Sequence, residues 1–418
     1  MVEPQAGRFA LLTTAVSHGP SVRFDRDNNS WVQSHEGLVR PTCMALAPDS
    51  SLIIADHGTP MEATWSPRVR KGVWQILPLG RYRFSGVPGV PSKPSRLGPA
   101  DWNLEFPVAV VTDAALPWNF FVLDRVASPA SQALYRLTSP NFSAAVRLPG
   151  ATGGALGMIW PVAMARDNNS HLLILDRGTS PPSGAPSAPK IIDVDVSVTP
   201  VRITSRNLTP AKVVEPLSLL VLTNGDLIIG DGREQNAATP GDLVRIDRSN
   251  PLTWVESRLL APLEGHNPLT APVAVVREDA AHLFVLDVGL KPILPPSGTP
   301  FIRIIAEPAA VYRVDLSQAP PTIVRASESR GLVFPTGMVL EKDKLYICDL
   351  GEYSDPNFSG ALPAVWRARP YEFGVVVHFS SQRPTTQKQR RQIVNDINEV
   401  IAKQKPAHVA ATFVYAAV

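Results

Sequence analysis

The chain has 418 residues, with 40 Lys and Arg against 37 Asp and Glu, so a formal charge of +3 excludes binding of a polyanion through bulk charge. Hydrophobic residues make up 44%, enough for a large core, while the 18% of charged residues lies below the roughly 25% of an average soluble domain. The 42 prolines exclude long helices as the main element, because proline removes an amide and clashes with the preceding helical turn.

In residues 1–40, Glu3 and Arg8 precede a short apolar run, Phe9 to Val16. That run lacks the basic start and the length of a secretory signal, so synthesis in the cytoplasm is expected. The sequons at Asn141 and Asn357 then carry no weight. Arg26-Asp27-Asn28-Asn29-Ser30-Trp31 echoes Arg166-Asp167-Asn168-Asn169-Ser170-His171. This predicts an extra hairpin, or the strand that closes a ring or pairs with the C-terminal segment.

From residue 41 one phrase recurs: a proline, small or apolar residues, a polar turn, and an apolar run closing on aspartate. The pairs are Pro41 and Asp56, Pro107 and Asp124, Pro161 and Asp176, Pro216 and Asp231, Pro272 and Asp287, and Pro335 and Asp349. Within a pair the separation is 15, 17, 15, 15, 15 and 14, whereas successive aspartates stand 68, 52, 55, 56 and 62 apart. The unit is tight inside and elastic outside. Each copy fits two antiparallel strands around a turn such as Thr223-Asn224-Gly225-Asp226, and the apolar runs suit strands buried on both faces. Third strands are predicted near 133–137, 242–247, 311–315 and 364–367, and fourth strands near 144–148 and 322–325. Four strands repeated six times predict an all-β, six-bladed β-propeller over 41–370. A sandwich would not repeat a two-strand phrase, and a solenoid would show shorter, more uniform periods.

The longest uncharged apolar stretch, around Ala151 to Ala165, contains Pro161 and three glycines and falls short of a membrane span. Two cysteines, Cys43 and Cys348, exclude a disulfide framework and multi-cysteine metal motifs. The eight histidines have no ligand spacing, and no phosphate loop, nucleophile elbow or His-Glu-x-x-His helix is present. No cofactor and no nucleic-acid partner are expected. His57, next to Asp56, is the best single acid/base candidate and reads more simply as a turn residue.

The blade wording, with Asp56-His57-Gly58, Asp176-Arg177-Gly178 and Asp349-Leu350-Gly351, resembles NHL and gluconolactonase-like propellers. That resemblance implies a hub where carboxylates could bind a divalent cation, making a metal-dependent lactonase with Asp56, Asp176, Asp231 and Asp349 the alternative function. The repetition favours a structural role: each of the six aspartates can accept hydrogen bonds from the backbone of the turn that follows. Neither catalytic nor metal residues are therefore assigned.

Insertions at Asp176 to Pro189, Asp287 to Pro308 and Asp349 to Pro363 fall on one face of a propeller, and their prolines stiffen them for contact with a protein partner. A glycan or cell-surface ligand is a further candidate, with thin support from Trp65, Trp74, Trp102, Trp118 and Trp160.

After Pro370 the phrase stops. Residues 372–379 read as a strand, 387–404 as a helix with Ile393, Ile397 and Ile401 on one face, and 408–418 as an uncharged strand. Pro406 ends the helix by constraining Lys405. Residues 371–418 thus predict a small α+β module. The run Arg390-Arg391-Gln392-Ile393 through Ile401 to Lys405-Pro406-Ala407-His408 resembles the end of phage-tail-like proteins, including those of contractile injection systems. That resemblance implies docking on a tail or baseplate. Together these features predict a non-enzymatic component of such a particle, with the propeller used for protein contact or surface recognition.

Overall fold

The structure, a computed structural model, describes residues 9–10, 17–18, 22–25, 30–33, 41–48, 50–56, 72–76, 95–97, 104, 106–113, 119–125, 133–138, 144–152, 156–167, 170–178, 187–232, 241–260, 267–293, 302–305, 309–328, 332, 334–342, 344–349, 364–368, 372–379, 396 and 410–417. Strand pairing gives six four-stranded sheets and an all-β propeller fold. Four sheets are unbroken antiparallel meanders, opening at Pro41, Pro107, Pro161 and Pro216. The third, for example, runs Pro161–Arg166, His171–Asp176, Lys190–Asp195, Arg202–Asn207 from inside to outside.

The fifth sheet is Pro272–Arg277, His282–Asp287, Ala310–Asp315 and Thr322–Arg325. Between its second and third strands the chain makes a separate hairpin, Leu290–Ile293 against Ile302–Ile305. The sequence reading took this insertion for a loop. The sixth sheet takes three strands from Pro335–Glu341, Lys344–Asp349 and Ala364–Ala368, and its fourth from the N-terminal pair Ser17–His18. Val22–Asp25 and Ser30–Gln33 form a hairpin of their own. The inner strands lie side by side in cyclic order, with the sixth returning to the first.

Period-two alternation builds the core. In His171–Asp176, Leu172 and Ile174 pack toward the second sheet, while Leu173 and Leu175 pack toward the fourth. Leu227 and Ile229 likewise face the third sheet and Ile228 the fifth. A strand sandwiched this way must be apolar on both faces, which is why the runs before each aspartate carry no alternation. The turns follow the same economy. In Leu222–Asp226 the Leu222 amide donates to the Asp226 carbonyl at 2.8 Å, and Gly225 takes φ +89°, a conformation costly for any residue with a Cβ.

Each inner-strand proline is paired in register with its own sheet's aspartate, and a register shift adjoins the pair in all six sheets. Proline suits that place because a bulge leaves one residue without a ladder bond, and proline has no amide to orphan. Neighbouring inner strands are also tied across the ring. Thr42 Oγ1 donates to the Pro107 carbonyl at 2.7 Å, Ser218 Oγ to Pro272 at 2.8 Å, and Thr336 Oγ1 to Pro41 at 2.6 Å. The last of these joins the sixth sheet to the first across 295 residues of sequence.

In the C-terminal segment, Glu372–Phe379 and Ala410–Ala417 pair in parallel. Phe9–Ala10 lies against the first of them and pairs in parallel with Ser327–Glu328. Of the predicted helix only Asp396 is described, as a helical and exposed position. Among the described residues no helix is long and apolar enough to cross a membrane.

Two substitutions test the ring. A Cβ on Gly230 would stand 2.3 Å from Ser218 Oγ and 2.4 Å from the Pro272 carbonyl oxygen. Gly230→Ala is therefore expected to lower the unfolding free energy by about 1–3 kcal/mol, the usual cost of overpacking, in a urea titration. Thr336→Val keeps the shape but removes the closing hydrogen bond, and should cost about 1 kcal/mol in the same measurement.

Candidate functional site

The six repeat aspartates all close second strands, and all are buried at the end of the sheet where the inner strand begins. Their carboxylates accept backbone amides. Asp176 Oδ2 takes the Ile159 amide at 2.7 Å, and its Oδ1 takes those of Trp160 at 2.8 Å and Gly178 at 2.9 Å. Asp287 Oδ2 accepts Thr270 and Ala271 at 2.7 and 2.9 Å, and Oδ1 accepts Gly289 at 2.7 Å. Asp231 Oδ1 accepts Val214 and Glu215 at 3.0 and 2.6 Å, with the Arg258 guanidinium 3.4 Å from Oδ2. Asp124 and Asp349 each accept the amide just before their proline, Phe106 and Phe334, at 2.8 Å. Asp56, paired in register with Pro41, is equally buried and engaged.

The main donors therefore precede the inner strand. Among the described residues, the turn after the aspartate, expected from the sequence to be the donor, contributes a third bond at Gly178 and Gly289. The contact is reciprocal: the amide after the aspartate donates back to the carbonyl before the proline. This occurs from Arg125 to Phe106, Arg177 to Trp160, Gly232 to Glu215 and Val288 to Ala271. Carboxylate oxygens committed to two or three amides are poor candidates for metal ligands.

A second layer lies on these clamps. Arg125, directly after Asp124, sits with its guanidinium 4.2 Å from the Trp160 ring centroid of the next sheet and 5.7 Å from that of Phe106. Arg177, directly after Asp176, reaches forward to pair with Glu215 at 2.5 Å. Each cation thus spans from one sheet to the residue before the next sheet's proline. Trp160 keeps 41% of its surface exposed, an aromatic face at the rim on the insertion side of the ring. The sequence reading singled out Trp160 and missed Arg125, Arg177 and Glu215; their signal was position, one residue after the aspartate or one before the proline.

Other candidates separate. Glu278, Asp279 and His282 gather at the opposite end of the fifth sheet, their ligand atoms within 4.8 Å of one another. Arg313 Nε already holds Glu278 at 2.6 Å, and the Ala281 amide and His282 hold Asp279 below the usual carboxylate range. Burial pushes the thiols of Cys43 and Cys348 up, which makes them inert. His57, Trp65, Trp102, Trp118 and the whole docking run (Arg390, Arg391, Ile393, Ile397, Ile401, Lys405, Pro406, Ala407 and His408) lie outside the described residues.

No family model and no curated protein matches the chain. Among solved structures it is similar to a gluconolactonase from Xanthomonas campestris, at 11% identity and TM-score 0.46 over 88% of this chain and 98% of that one. It is also similar to a putative glucose dehydrogenase from Thermus thermophilus, at 14% identity and TM-score 0.43, covering 84% and 100% of the two chains. A putative 6-phosphogluconolactonase from Bacteroides fragilis matches at 11% identity and TM-score 0.41, over 82% and 89%. Identities this low carry nothing about activity.

The clamp makes two predictions. In Asp176→Asn one acceptor becomes a donor facing an amide, so stability should fall by about 1.5–3 kcal/mol in a denaturant titration. For Asp287, burial raises the carboxyl to about 6 against the pull of the Gly289, Thr270 and Ala271 amides. The folded state therefore binds this proton more tightly than the unfolded chain does. Its contribution is fully present below pH about 4 and is lost as pH rises through about 6, a change on the order of 3 kcal/mol. Melting temperature against pH, compared between the native chain and Asp287→Asn, should show that extra slope between pH 4 and 6 only in the native chain.

Proposed function

We propose that the six sheets form the blades of one rigid, non-enzymatic ring that contacts a partner or a surface, and that residues 371–418 dock it into a phage-tail-like particle. The observation that carries the non-enzymatic part is the commitment of the hub carboxylates to backbone amides, which leaves the aspartates a structural task. The docking part rests on the resemblance of the run Arg390 to His408, which falls between the parallel strands Glu372–Phe379 and Ala410–Ala417. Parallel strands need a long crossover between them, and the run from residue 380 to 409 supplies one.

A second reading, a metal-dependent lactonase or related hydrolase using Asp56, Asp176, Asp231 and Asp349, matches the activity named for the Xanthomonas and Bacteroides proteins. It would require those carboxylates to exchange amides for a cation. Elemental analysis of the purified chain separates the two. The structural reading expects no stoichiometric calcium or zinc and no hydrolysis of gluconolactone, and a bound ion together with turnover would replace it with the second. For docking, reversing the charge in Arg390→Glu with Arg391→Glu should abolish co-purification with particles while leaving the melting temperature unchanged. Undiminished incorporation would remove the docking role.

A further inference from the structure

A cleft of about 580 Å³ lies between the third and fourth sheets. One wall is the outer strand Arg202–Asn207 with Asp193 behind it, and the other is the turn at Asn224–Gly225 with the connection from Arg248 to Trp254. The guanidinium of Arg206 lies 4.5 Å from the Trp254 ring centroid, and that of Arg248 lies 5.9 Å from it.

These two cations are neutralised differently. Arg248 is paired with Asp167 at 2.7 Å and donates to the Gly225 carbonyl. Arg206 is anchored by the Pro251 and Leu252 carbonyls through Nη2 alone, at 2.9 and 3.4 Å. Positive charge is therefore in excess beside Trp254. Farther along the cleft the sign reverses, with Asp193 held by His171 Nδ1 at 2.6 Å. The cleft thus offers a guanidinium fixed over an indole, a carboxylate acceptor and the exposed hydroxyls of Thr204 and Ser205.

We propose that this cleft binds an acidic saccharide. Its carboxylate meets Arg206, its ring lies beside the stack of Arg206 on Trp254, and its hydroxyls donate to Asp193 and exchange hydrogen bonds with Thr204 and Ser205. A charged guanidinium donor matches a carboxylate, and the exposed hydroxyls of Thr204 and Ser205 match those of a sugar. An apolar ligand would strand the polar walls, and a polyphosphate would meet one available guanidinium and the repulsion of Asp193. The size fits the range of small-ligand clefts. The proposal rests on the surface-recognition part of the reading above, but binding by the isolated chain and incorporation into particles are separate measurements, so either can fail alone.

Calorimetry on the full chain tests it with trigalacturonic acid, neutral maltotriose and inorganic phosphate as probes. Trigalacturonic acid should bind, weakening as salt rises, while maltotriose and phosphate give no saturable heat. Arg206→Gln, which preserves length, should weaken binding about tenfold, the loss expected of one charged hydrogen-bonded contact. Trp254→Phe, which keeps a ring, should retain part of the affinity that Trp254→Ala loses. Absence of saturable binding by trigalacturonic acid would overturn the proposal, as would equal binding of maltotriose or phosphate, or native affinity in Arg206→Gln.

Discussion

The fold depends on one repeated contact: a buried carboxylate at the end of each second strand that gathers the backbone amides entering the inner strand. A buried aspartate is expensive to desolvate, and here the expense is offset chiefly by donors fixed in the backbone, with Arg258 beside Asp231 and Lys190 beside Asp176 adding a cation. The same contact decides where each sheet starts. It sits beside a bulge, and the bulge is where proline can open the strand without wasting a donor. Asp176 with Ile159 and Trp160, and Asp287 with Thr270 and Ala271, are the fullest cases. Once the entry and exit of a sheet are clamped together, the residue on either side is fixed as well, which is how Arg125 comes to lie over Trp160 and Arg177 to reach Glu215.

Much of this was legible in the sequence because the constraint is local and periodic. Proline and aspartate 14 to 17 residues apart are two ends of one hairpin, and the apolar runs between them report burial on both faces. Third strands such as Asp242–Asp247 and Ala310–Asp315 were visible as short apolar runs downstream of the repeat aspartate. The partners of the aspartates were not visible. An Asx turn and a clamp on the preceding loop use the same residue, and only the three-dimensional return of the chain to Ile159 or Val214 tells them apart. The hairpin at Leu290–Ile293 and Ile302–Ile305 was hidden by Pro292, which reads as a loop residue yet occupies a two-stranded ribbon where unpaired edges are available.

The cleft at Trp254 illustrates a second kind of illegibility. Arg206, Asp193 and Trp254 stand far apart in the sequence and share no motif. They meet because the outer strand of one sheet lies against the third-to-fourth strand connection of the next. Interfaces between neighbouring sheets create such juxtapositions wherever turns diverge, without any disturbance of the buried phrase that holds the sheets together.

The two ends of the sheets therefore carry different physical obligations. At the aspartate end, substitution is limited by amides that have no other acceptor once buried, so chemistry there is confined to the rim residues on top of the clamp. At the opposite end the turns are short and satisfy themselves, as Asn224 and Asp226 do through a 2.8 Å side-chain contact, and Asp226 further binds Arg245 Nη2 at 2.6 Å. A ring whose sheets are clamped through backbone amides can vary the side chains between neighbouring sheets without touching that clamp, and the charge reversal along the cleft from Arg206 to Asp193 is one such variation.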